Sequence, residues 1–143
     1  MTNKLARIHT AEHIMWEVLK KRFPDIKTVS LQLDPDQSRS DYHLKKDFSE
    51  NDIQMINNDT NAIIKKNLTV SFENMTRQEA EKVCDLSLIP ANVQQIRIVR
   101  VGNISSEACI GQHVANTSEI GLFKITKNKK VGKNVYRLYF KVI

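Results

Sequence analysis

The sequence predicts an α+β fold, a mostly antiparallel sheet packed with two longer helices. Three observations carry that prediction. Two stretches repeat apolar residues at near-3.6 spacing, several short runs alternate apolar and polar residues, and a turn-rich segment joins two such runs as a hairpin. No repeat, heptad run or low-complexity linker interrupts the 143 residues, so one domain spanning 1–143 is expected.

Residues from about 3 to 22 read as the first helix, because Leu5, Ile8, Met15, Val18 and Leu19 fall on one side. Lys20, Lys21 and Arg22 suit its carboxyl end, and Pro24 closes it. Thr28-Val-Ser-Leu-Gln-Leu alternates as a strand, Asp34-Pro-Asp-Gln-Ser turns the chain, and Arg39-Ser-Asp-Tyr-His-Leu returns. Ser49 caps a second helix whose buried side carries Ile53, Ile56, Ala62 and Ile63. Leu68-Thr-Val-Ser-Phe is the next strand. Thr76-Arg-Gln-Glu then has the capping-box spacing of a short helix. From Gln95 the chain turns to β: Ile96–Val101, a segment around Cys109, Gly121–Thr126, then a basic turn over residues 127–133 and a last strand from Val135.

Composition excludes several classes. The 41% hydrophobic and 27% charged fractions suit a soluble globular chain and argue against disorder. No run approaches the roughly 20 apolar residues of a membrane helix. The amino-terminal stretch lacks the apolar run of a signal peptide, so a cytoplasmic location is expected. Lys plus Arg outnumber Asp plus Glu by 22 to 16, a balance that suits a polyanionic partner without identifying it. In a reducing compartment the two cysteines are not expected to pair. Cys84 lies in an amphipathic stretch and reads as a small buried residue.

Chemistry concentrates in two motifs. His9 and His13 stand four residues apart in the first helix, so both imidazoles share one face and reach one ion. Cys109 and His113 repeat the spacing with Gly111 between them, where the backbone can turn. Three imidazoles and a thiolate suit zinc better than magnesium or calcium. The fourth histidine, His43, lies on a hairpin strand and reads as structural or surface. A thermolysin-type site needs Glu directly after the first histidine, where this chain has Thr10. A nucleobase deaminase needs a C-x-x-C pair, which the chain lacks. Four donors fit a closed structural site as well as a catalytic one in which a ligand is labile or the coordination expands.

His9-Thr-Ala-Glu-His13, Glu107-Ala-Cys-Ile-Gly-Gln-His113 and Thr117-Ser-Glu-Ile-Gly-Leu-Phe-Lys-Ile125 together resemble the editing domain shared by alanyl- and threonyl-tRNA synthetases. The stretch from Asp59 to Val70 is similar to that family's second helix and following strand, and Thr76-Arg-Gln-Glu-Ala to its short helix. Ser118-Glu-Ile-Gly-Leu-Phe-Lys-Ile follows the alanyl branch, as carried by short AlaX-type editing proteins. Ile110 and Ser118 each stand where the alanyl wording has glycine.

The resemblance implies a free-standing deacylase acting on the acceptor end of alanine tRNA charged with serine, or with glycine. It implies a zinc ion held by His9, His13, Cys109 and His113. Glu107, two residues before Cys109, is the candidate for orienting the site or moving a proton. Ser30 and Asp41 are candidate pocket-lining residues. Lys20, Lys21 and Arg22, with Lys127, Lys129, Lys130 and Lys133, are candidate phosphate contacts. Competing expectations are an RNA-binding domain with purely structural zinc, a zinc hydrolase of small esters or amides, and threonyl-type editing of serine on threonine tRNA.

Overall fold

A computed structural model describes residues 3–143; Met1 and Thr2, part of the stretch read above for a signal peptide, lie outside it. Helix α1 spans Lys4–Arg22. Asn3 caps it, its side chain accepting from the Leu5 amide at 2.8 Å, and Lys20, Lys21 and Arg22 occupy the last turn, where they meet the negative end of the helix dipole. Ile8, Ile14, Met15 and Leu19 are fully buried, each adding roughly 1.5–3 kcal/mol of apolar burial. The opposite stripe, His9, Glu12, His13 and Trp16, stays partly accessible or faces polar neighbours.

Strands β1 (Lys27–Gln32) and β2 (Ser38–His43) form the expected hairpin. Helix α2 (Glu50–Ile64) starts with a full capping box, Ser49 and Asp52 each bonding the other's backbone amide. Its buried row is Ile56, Thr60 and Ile64, with Ile53 and Ile63 packed at the margin. Ala62, expected inside, is exposed, because Asn57 and Asn61 turn the adjoining face toward backbone partners described below. Strand β3 (Val70–Thr76) leads directly into α3 (Arg77–Ala80), capped by Thr76 and Glu79 as the motif predicts. Strands β4 (Gln95–Val101), β5 (Ser105–Ala108), β6 (Phe123–Gly132) and β7 (Val135–Val142) complete the chain, with a 3-10 turn at Thr117–Glu119.

The α+β class is as expected, but the strands divide between two antiparallel sheets. One has the order β1-β2-β7-β6 and the other β3-β4-β5. A tight turn at Gly102, whose φ is +52°, folds β5 back on β4. One apolar core runs between the sheets, joining Ile8, Met15 and Leu19 of α1 to Leu138 and Phe140 of β7 and to Val99 and Val101 of β4. A smaller cluster of Met75, Ala80, Leu86, Ile96 and Ile98 lies beneath the short helix.

The basic turn expected over residues 127–133 is strand for most of its length. Strand β6 continues to Gly132, with Lys127 opposite Tyr139 and Lys129 opposite Arg137, and the reversal takes only Lys133 and Asn134. Asn134 adopts φ +57°, the left-handed geometry a two-residue hairpin needs. Lysine is a weak strand signal, so pairing with the strongly alternating β7 sets the state of this segment.

Candidate metal centre and cleft

The two helical histidines and the Cys109–His113 segment meet as the spacing argument required. The donor atoms of His9, His13, Cys109 and His113 all lie within 4.8 Å of one another. Cys109 Sγ is 3.4 Å from His9 Nε2 and 3.5 Å from His113 Nε2. The three imidazole centroids are 4.4–4.9 Å apart.

Helix α1 presents its two ligands one turn apart on the stripe left free of the core. The other two follow β5. Cys109 N donates to Arg97 O at 3.0 Å, and the Arg97 guanidinium donates to Gly111 O at 3.1 Å, so β4 holds the ligand loop at two points. Gly111 is required here: a Cβ on it would collide with the His9 ring. Its amide also points at Cys109 Sγ, 3.4 Å away.

Thr10, read in the sequence only for what it excluded, positions His113. Its hydroxyl donates its one proton to Ala6 O at 2.9 Å and accepts from Val114 N at 3.1 Å. The remaining contact, 3.0 Å to His113 Nδ1, therefore has the ring N–H donating to Thr10. That fixes the tautomer and leaves the Nε2 lone pair facing Cys109 and the cluster.

The protonation chemistry suits a cation. Burial, then Arg97, lowers the His9 pKa; burial, then the neighbouring histidines and Lys20, holds His13 well below its ordinary value. Burial, then His9 and Arg97, brings His113 to about 3. All three rings are thus neutral lone-pair donors at neutral pH. Burial pushes the Cys109 thiol up, so the thiolate form needs a positive partner. His13 Nδ1 is buried without a hydrogen-bond partner among the described residues. Two further features complete the fit: a soft donor set, and a lone pair that no protein group satisfies. These four residues can hold a metal ion.

His9, His13 and Cys109 of the cluster line a cleft of about 840 Å³ between α1, β1, β5 and the segment after α3. Glu107 lines it and accepts from Lys20 Nζ at 3.0 Å, while Lys20 also pairs with Glu17 at 2.9 Å. Burial raises the Glu107 carboxyl, with Lys20 opposing the shift. Glu12, which sequence reading placed aside from the ligands, lines the same cleft. Burial, then Glu107, raises its carboxyl to about 8. Its signal was available: Glu12 lies three residues after His9 and four before Trp16, hence on one stripe with both. Cys84 is a free, half-buried thiol in the cleft wall, where the sequence suggested a wholly buried one.

The structure does not bring Ser30 and Asp41 to this cleft. They sit on the outer face of the four-stranded sheet, away from the helices. Ser30 donates to Asp41 at 3.1 Å, and Asp41 accepts two bonds from Arg137 at 2.7 and 3.1 Å. Of the basic residues, Lys20 faces the cleft carboxylates, Arg22 lies 3.8 Å from Asp52, and Lys21 is exposed. Lys129, Lys130 and Lys133 are exposed on β6 and its turn, and His43 is exposed on β2.

Residues 96–139 match the threonyl and alanyl tRNA synthetase second additional domain. Over 93% of its length the chain is 32% identical to the alanine–tRNA ligase of Carboxydothermus hydrogenoformans. It is 33% identical over 95% to that of Ligilactobacillus salivarius, and 33% over 92% to that of Thermotoga petrophila. The matched region is 15–16% of each ligase, so the chain spans about a sixth of the length of these relatives.

Proposed function

The chain is a relative of the domain that threonyl and alanyl tRNA synthetases share, in the form carried within alanine–tRNA ligases, and from that premise we propose that it removes serine from mischarged alanine tRNA. The observation that carries this reading is the convergence of three neutral imidazoles and one thiol beside an open cleft. A structural metal needs no such opening.

The reaction is hydrolysis of an ester. Water adds to the carbonyl carbon, the bond from that carbon to the terminal ribose oxygen breaks, and the ribose oxygen takes a proton. Serine leaves as the free acid. His9, His13, Cys109 and His113 would hold a zinc ion, which when bound would supply Lewis acidity for ester hydrolysis. Thr10 and Gly111 hold two of the ligand rings in place. Glu107 stands in the cleft with a raised carboxyl and a lysine beside it, a pair suited to taking a proton from water and passing it to the departing ribose oxygen. Lys20 keeps that carboxylate oriented. Lys21, Lys130 and Lys133 are exposed and positioned to meet phosphates of the acceptor stem, as is Lys129 beside Tyr139; Lys20 and Arg22 would first have to leave their carboxylates. Ser30 and Asp41 take no part in this reading, since neither lines the cleft. The larger apolar core packs α1 against strands of both sheets, which supports one editing unit over residues 3–143.

The test is deacylation of Ser-tRNA(Ala), Gly-tRNA(Ala) and Ala-tRNA(Ala) by zinc-loaded wild type and by His9→Ala. The seryl ester is expected to be cleaved more than about tenfold faster than the alanyl ester, because a polar pocket rejects a substrate that leaves its groups unpaired. His9→Ala is expected to lose activity. No seryl cleavage above buffer, with one equivalent of zinc bound, sinks the proposal.

One observation favours a second reading, an RNA-binding domain with structural zinc: four protein donors converge, the number a closed structural site would use. Chelation would then unfold the domain, whereas in the deacylase reading it abolishes activity while the fold remains.

A further inference from the structure

The outer face of the four-stranded sheet carries a charge pattern that the cleft chemistry leaves unused. Along β7, Tyr136, Leu138, Phe140 and Val142 are buried, while Arg137, Tyr139 and Lys141 alternate with them on the more open side. Strand register fixes their neighbours on that side. Lys124 stands opposite Lys141 and Lys129 opposite Arg137, and Tyr139 lies between Lys127 of β6 and Arg39 of β2. Arg39, Lys124, Lys127 and Lys129 are exposed. The Lys127 ammonium sits 4.6 Å from the centre of the Tyr139 ring, whose hydroxyl accepts from Arg137 at 3.2 Å.

Like charges directly opposite one another across strands repel, and an ordinary protein surface intersperses both signs. Here Lys124 with Lys141 and Lys129 with Arg137 break that rule on one face. Among the described residues Arg137 is the only one of these cations with an ion pair, to Asp41. The others are left for anions outside the chain, spaced across several strands as successive phosphates are and a small anion is not. The face is also continuous with the cleft. Strand β1 forms the near edge of this sheet and lends Lys27, Thr28 and Leu31 to the cleft wall, with Lys27 paired to His43 in the sheet. Three strand spacings, roughly 14 Å, separate β6 from β1.

We propose that the outer face of the β1-β2-β7-β6 sheet docks the double-helical acceptor stem of the tRNA, with Arg39, Lys124, Lys127, Lys129 and Lys141 on its phosphates. The inference rests on the deacylase reading and says where the RNA lies. A stem on this face brings its unpaired 3′ end over the β1 edge, and the ester on the terminal ribose enters the cleft from there. Contacts of this kind orient a duplex by its backbone and shape, without reading its sequence.

The experiment measures binding of an uncharged acceptor-stem RNA hairpin with an unpaired 3′ tail, by fluorescence anisotropy over a salt series. It compares wild type with Lys124→Gln/Lys141→Gln and Lys127→Gln/Lys129→Gln. Lys65→Gln/Lys66→Gln, exposed just after α2, removes the same charge elsewhere. Each sheet pair is expected to flatten the slope of log K against log salt by about 1.5–2, two phosphate contacts' worth, and the control to leave it unchanged. On Ser-tRNA(Ala), the sheet pairs should lower kcat/KM mainly through KM. Wild-type affinity and slope in both sheet pairs, or an equal loss in the control, overturns the docking surface and leaves the deacylase reading standing. Unchanged RNA binding with lost binding to vesicles of phosphatidylserine and phosphatidylcholine assigns the face to a lipid surface and overturns it likewise. A wild type that neither binds the stem nor cleaves Ser-tRNA(Ala) overturns both.

Discussion

Replacing Thr10 with valine keeps the shape of a β-branched side chain and removes the acceptor that the described residues offer the His113 Nδ1 proton. The ligand then loses both its tautomer preference and its orientation. Zinc affinity should fall about 10–100-fold with the fold intact, measured by competition with a chelating dye. An unchanged affinity contradicts the assigned role. Asp41 lends itself to a different test. The Arg137 guanidinium, and less strongly Ser30, holds its carboxyl below the ordinary value. A depressed carboxylate stabilises the fold above its unfolded pKa, near about 4, and that contribution is lost as pH falls through the lower folded value. Asp41→Asn should therefore cost about 1–3 kcal/mol at pH 7 in urea unfolding and progressively less below about pH 4. A difference that stays constant with pH would show that the charge contributes nothing. These two residues also mark what the sequence leaves unread. Ligand types and spacing announce His9, His13, Cys109 and His113. The bond from Thr10 to a residue 103 positions away, and the sheet face on which Asp41 lies, depend on tertiary packing and strand register.

At the scale of elements, α2 closes the open edge of the larger sheet. Strand β6 is an edge strand, and its outward amides would be unpaired. Asn61 accepts from Phe123 N at 2.9 Å and donates to Phe123 O at 2.8 Å, while Asn57 accepts from Ile125 N at 2.8 Å. Two side-chain amides thus stand in for a neighbouring strand. Asn61→Ala leaves two backbone groups of a buried residue without partners and should destabilise the domain by about 1–3 kcal/mol in urea unfolding. A change under about 0.5 kcal/mol would mean that water takes over the edge. Helix starts were the most legible elements, because Ser49-x-x-Asp52 and Thr76-x-x-Glu79 are local hydrogen-bond devices that act wherever the chain goes. Strand β6 was the least legible beyond Thr126: its lysines and Asn128 read as turn, and only the register with β7 makes them strand.

Across the whole molecule, the metal cluster sits at the rim of the core. Its ligands come from α1 and from the loop after β5, while the apolar contacts that join the two sheets lie behind them. Removing the metal should therefore open the ligand loop without dissolving the core. Circular dichroism should keep its α+β signature on chelation, and the thermal midpoint should fall by an amount that zinc restores. Collapse of the signal on chelation would instead favour the structural-zinc reading. The division into two sheets was not readable from the alternating runs, because alternation states which face is buried and not which strand is the neighbour. A single metal centre built from these four side chains is tested most directly by cobalt(II) substitution. One equivalent should give the intense visible absorption of a four-coordinate site with a thiolate charge-transfer band, and Cys109→Ser should lose that band. A pale six-coordinate spectrum, or a thiolate band that survives in Cys109→Ser, would contradict it.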